Sequence, residues 1–188
     1  MPTLPPSQTT PPIDPQLIRL AEPISRYLES ERLQRRLLGD CSYSPSDYQL
    51  DHWSAWEAGG CYTLAAALRP LLAPTGLLAG VYVSADPSDA LGYLEHAGIA
   101  IGGGFLDARG LRSSEELIDE WVEITAAEPS AIRIAPISPA EERERYRDLI
   151  GSEPARVTAL QRLLARDLAE PLRALRSKRE GAGHPARS

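Results

Sequence analysis

Residues 96–110 read HAGIAIGGGFLDARG: an apolar run, three glycines and a second short apolar run. This segment limits the fold more than any other. Each run is too short for a stable helix and is bounded by turn residues, which is the pattern of buried strands joined by a tight hairpin turn. Upstream, Leu77–Ser84 (LLAGVYVS) is a third buried run. Short, mostly apolar strands of this kind need a small sheet with cover on its faces.

That cover is written in helical periods. Leu17, Leu20, Ala21, Ile24, Tyr27 and Leu28 fall on one helical face, and Leu33, Leu37 and Leu38 extend the stripe to a stop at Gly39. Pro23 predicts a kink or a split in this helix. In GGCYTLAAALRPLLAP, Leu64, Leu68, Leu71 and Leu72 share a face, and the intervening alanines allow close packing. Ser113 and Glu116 have capping-box spacing and open a helix through about Ile124. Ile132–Ile134 reads as a further strand, and 138–149 and 154–176 as Arg- and Glu-rich helices. The expected fold class is α+β: a small antiparallel sheet with the Cys61 helix packed on it and flanking helices. The expected organisation is a Pro-rich disordered tail over 1–15, one domain over 16–176, and a basic tail over 177–188, because the tail compositions cannot offset the entropy of ordering. Residues 40–58 read as an aromatic, turn-rich loop, and the stretch before His96 as a connector.

Composition narrows the function classes. The net charge of −6 argues against nucleic acid as a main partner. No apolar run reaches the length of a membrane span, and no signal pattern opens the chain, so a cytoplasmic location is the default and leaderless secretion stays open. Lys178 is the single lysine, a bias that a high-GC bacterial genome produces and that selection in a protein delivered into another cell would also produce. Two cysteines, Cys41 and Cys61, form neither a disulfide framework nor a zinc spacing, and no cofactor is implied.

Cys61 stands at the start of its helix, where unpaired amides and the positive end of the macrodipole favour a thiolate. Gly59 and Gly60 let the backbone turn and let a substrate approach, and the Cys61 amide can face a developing oxyanion. His96 follows 35 residues later at the opening of a strand, where an imidazole can take the thiol proton and later protonate a leaving group. Asp107, eleven residues on, lies on the returning strand; a carboxylate beside an imidazole fixes its tautomer and stabilises its charged form. The candidate catalytic set is therefore Cys61, His96 and Asp107. Substrate-binding candidates are Gly60 and an apolar rim of Trp53 and Trp56, for which core packing is the alternative. Gln49 is a candidate oxyanion donor and His52 a candidate lining residue. Each residue has a plainer role by itself: a small buried hydrophobe, a strand-end histidine, a turn former before Gly110. The joint order carries the chemical reading. The GGG at 102–104 lacks the lysine and following helix of a phosphate loop.

In this order of Cys on a helix, His on a strand and Asp on the next, GGCYTLAAALRPL and EHAGIAIGGGFLDARG resemble the core of the papain-like and transglutaminase-like superfamily. Arylamine N-acetyltransferases, small bacterial cysteine hydrolases and deamidase toxins are similar in layout. The resemblance covers roughly Gly59–Gly110. It implies a nucleophile at Cys61, a base at His96 and an orienting carboxylate at Asp107. The implied activity is that of a cysteine hydrolase, whether peptidase, amidase or glutamine deamidase, acting on a protein, peptide or other amide, in a bacterial effector or toxin setting. An inactive interaction protein of the same fold and an acyl or amine transferase are the alternatives.

Overall fold

The computed structural model describes residues 12–39, 56, 60–85, 92–149 and 153–181. Among them lie seven helices and one five-stranded antiparallel sheet. The helices are α1 (Pro15–Leu28), α2 (Glu31–Gly39), α3 (Cys61–Leu72), α4 (Ser114–Thr125), α5 (Pro139–Leu149), α6 (Glu153–Asp167) and α7 (Ala169–Gly181). The strands are β1 (Leu77–Val83), β2 (Tyr93–Ile101), β3 (Gly104–Asp107), β4 (Gly110–Arg112) and β5 (Ile132–Pro136), in the spatial order β4-β3-β2-β1-β5. The architecture is α+β, as the sequence predicts. None of the described helices is long and apolar enough to cross a membrane.

The sheet separates two cores. On one face Ala97, Ile99, Ile101 and Leu106 meet leucines from α1, α2, α3, α6 and α7. On the other, Ala79, Val81, Phe105 and Ile132 pack on Leu117 of α4, with Trp121 and Val122 alongside. The alternation along β2 and β3 feeds both cores, so a one-residue slip would misplace every side chain. The register is pinned by the hairpin turn, where Gly102 and Gly103 have φ of 59° and 83°, conformations that favour glycine and match the strand twist. The capping box at α4 is complete: the Ser113 hydroxyl accepts from the Glu116 amide, and the Glu116 carboxylate accepts from the Ser113 amide.

Several expectations are corrected. The first helical stripe divides at Ser30, not at Pro23, which sits inside α1. The Ser30 hydroxyl accepts the Leu33 amide at 3.3 Å and so caps α2. The stretch 154–176 is two helices, because Pro171 has no amide to continue the α6 ladder. The N-terminal tail stops short of residue 15: Ile13 is buried, and Asp14 caps α1 by accepting the Gln16 amide. At the other end α7 runs on to Gly181, into the stretch expected as tail. Strand β4 has no counterpart in the sequence reading, because three residues are too few for a periodic signal.

Candidate active site

Cys61 is the first residue of α3 and Gly60 is its N-cap. Gly60 is buried and contributes no side-chain cap. Cys61 is half-buried, and its thiol lies within hydrogen-bonding reach of the His96 imidazole and of the amides of Ala97 and Tyr62. Burial pushes the thiol pKa up, but these three donors outweigh it and hold it below its ordinary value.

His96 is the fourth residue of β2, not its first, since the strand starts at Tyr93. A bulge immediately precedes it. Val81 pairs with His96 while Tyr82 pairs with Leu94, so Glu95 is the extra residue. Bulges bend a strand and re-aim the next side chain. The imidazole is 3% exposed and its Nε2 lies 3.0 Å from Asp107 Oδ2. With Nε2 turned to the carboxylate, Nδ1 is the nitrogen left for the Cys61 thiol. The rings of Phe105 and Trp121 flank it, each centroid 5.9 Å away. Burial by itself favours the neutral ring. The hydrogen bonds and charges of Asp107 and Cys61 reverse that, and the imidazole pKa is pushed up to about 9.

Asp107 closes β3 and is buried. Extending the β2–β3 register places it opposite Gly98, one diagonal step from His96 on the same face. A Cβ at Gly98 would collide with the Phe105 ring and the Leu106 carbonyl, so a side chain there would force the hairpin to shift. Asp107 Oδ1 accepts the Arg109 amide at 2.9 Å, and Oδ2 also accepts from Arg112. Burial pushes this carboxyl up, but the His96 hydrogen bond and the Arg112 charge hold it below its usual range. Beyond it, Glu120 of α4 binds both Arg112 and Arg109.

The structure thus brings Cys61, His96, Asp107 and Gly60 together. Trp56 is 1% exposed and belongs to the helical core. It packs and forms no rim, the outcome expected of a large apolar ring. Trp53, Gln49, His52, Cys41 and Gly59 lie outside the described residues. Sequence reasoning missed Trp121, Arg112 and Glu120. The one available signal was Arg112 standing five residues after Asp107 across a Gly110 turn. A groove of about 370 Å³ lined by Ser25, Arg26, Glu29, Arg109 and Leu111 lies on the α1 side of the β3–β4 turn and does not include Cys61. No cluster of metal-ligating side chains occurs among the described residues. No family model, no curated protein and no solved structure matches the chain.

Proposed function

We propose that this chain is a cysteine-dependent hydrolase with a papain-like core, acting on an amide or other acyl carbon through a thioester on Cys61. The observation that carries the reading is a helix-start cysteine hydrogen-bonded to a buried histidine whose far nitrogen meets a buried aspartate.

A thiol held down beside an imidazole held up favours the thiolate–imidazolium pair as the attacking form. The thiolate attacks the carbonyl carbon and the carbonyl π electrons move to oxygen. The Cys61 amide, at the first helical position where the N–H has no intrahelical acceptor, can donate to that oxyanion. As the tetrahedral species collapses, the C–N bond breaks and His96 gives its proton to the departing amine. Neutral His96 then takes a proton from water, whose oxygen attacks the thioester carbon, and the C–S bond breaks to restore the pair. Asp107 orients the ring throughout and stabilises its charged form. An amine in place of water would give transfer. A substrate that is a peptide bond, a glutamine side chain or another amide fits the same steps, and an effector or toxin setting is consistent with a small unit needing only its own side chains.

The test is acid quenching during turnover of an activated amide panel, followed by mass spectrometry. An acyl adduct on Cys61 that is absent from Cys61→Ala is expected. Equal turnover by wild type and Cys61→Ala would overturn the reading.

A further inference from the structure

Asp107 divides its charge between two cations. Its Oδ2 faces both His96 Nε2 and the Arg112 guanidinium, and the second guanidinium arm of Arg112 is taken by Glu120. We propose that Arg112, gripped from behind by Glu120, is a positioning residue that fixes the Asp107 carboxylate and competes with His96 for its charge, so that the pair sets how firmly the imidazolium holds its proton. The inference rests on the reading of Cys61 and His96 as a catalytic couple.

The sheet register explains the placement. Asp107 pairs with Gly110 and Phe105 with Arg112, so Arg112 is diagonal to Asp107 on one face, with only a glycine beside the path. The Arg112 and Glu120 side chains are 17% and 19% exposed. An arginine at the rim of a hairpin with solvent as its partner would be far more open. In such partly dry surroundings charges act over several ångströms with little screening. Among the described residues, the groups around Asp107 are His96 from β2, with Cys61 of α3 behind it; Arg112 from β4; the Arg109 amide from the turn; and Glu120 of α4 acting through both arginines. Phe105 and Trp121 add only uncharged surface.

Competition gives opposite signs for the two partners. Arg112→Gln removes the rival cation, so Asp107 holds the imidazolium harder. Glu120→Gln removes an anion and leaves the Arg112 charge to fall wholly on Asp107, so the imidazolium is held less. A merely structural role would move both variants the same way.

The test is NMR titration of the His96 ring, separated from His52 and His184 by His96→Gln. Wild type is expected to titrate near about 9. Arg112→Gln should titrate about 0.5–1 unit higher and Glu120→Gln lower by a similar amount, while Arg112→Lys keeps the charge and stays with wild type. If Arg112→Gln fails to fold, Glu120→Gln and Arg112→Lys decide the matter. Glu120→Gln unchanged or raised, or both neutral variants shifted alike, overturns the proposal while leaving the catalytic couple intact. A wild-type His96 with an ordinary titration overturns the couple itself, and this inference with it.

Discussion

Two aspartates in this protein are each bonded to arginine, and their surroundings differ in kind. Asp167, at the end of α6, accepts from the Tyr27 hydroxyl of α1, from Arg36 and Arg32 of α2, and from Arg166. Its side chain is 4% exposed, against 1% for Asp107. Burial raises the Tyr27 pKa first and the Asp167 bond adds to it, to about 12, whereas the bonds to Tyr27 and Arg36 overcome the burial of Asp167 and bring it to about 2. Tyr27 and Asp167 therefore both keep their charge state between those limits. At Asp107 the hydrogen-bonded partner is an imidazole, and beyond the imidazole stands a helix-start thiol. Strongly shifted groups thus occur in both places. What separates a staple between helices from a chemical site is a nucleophile within reach of a group that can take and return a proton.

Mutation breaks the comparison most sharply at the sulfur. Cys61→Ala should lower turnover at least on the order of 10⁴-fold while changing stability by about 1 kcal/mol or less, read as initial rates beside thermal melts. The paired substitutions Asp107→Asn and Asp167→Asn should then separate cleanly. Asp107→Asn should reduce turnover by about 10²–10⁴-fold through loss of the charge that holds the imidazolium. Asp167→Asn should leave turnover within about twofold yet cost about 1–3 kcal/mol, because arginine and tyrosine donors lose their charged acceptor. Equal effects of the two on turnover would mean that Asp107 is only another staple.

The pH dependence distinguishes the same two regions. His96 has a folded pKa raised to about 9. Its contribution to stability is therefore fully present below its ordinary value near about 6.5 and is lost as pH rises through about 9. Turnover, which needs the imidazolium to protonate the leaving amine, should fall along the same limb. Asp167 is depressed to about 2, so its contribution is present above about 3.9 and disappears as pH falls through about 2. Denaturant titrations across pH should show the alkaline loss diminished in His96→Gln and the deepest acid loss diminished in Asp167→Asn. Among the groups around His96, the smallest expected effect is at Trp121. Trp121→Leu should lower turnover by about tenfold, by loosening the ring that backs His96, without moving the alkaline limb.

The parts of the molecule written in short-range pattern were legible in the sequence. The α4 capping box needs only two residues three apart, and the β2–β3 hairpin only its glycines. Cys61 at a helix start follows from Gly-Gly followed by an apolar helical face. The re-aiming of His96 was not legible, because a single extra residue at Glu95 leaves no mark in an apolar run. Arg112 and Glu120 escaped for a related reason. Each sits in an ordinary charged position in sequence, and only the β3–β4 register and the packing of α4 carry them to Asp107. Trp56 fills the core because its volume is used there, while Trp121, on a helix chosen for its cap, supplies the aromatic wall beside His96.

The thiolate–imidazolium couple is tested most directly by the rate of Cys61 alkylation with iodoacetamide from pH 5 to 9, followed by mass spectrometry, in the native chain and in the chain unfolded in urea. In the unfolded chain the rate should rise with an ordinary thiol pKa of about 8.5. In the native chain the rise should be displaced to lower pH, and His96→Gln should return it towards the unfolded curve. A native Cys61 that follows the unfolded curve would contradict the account.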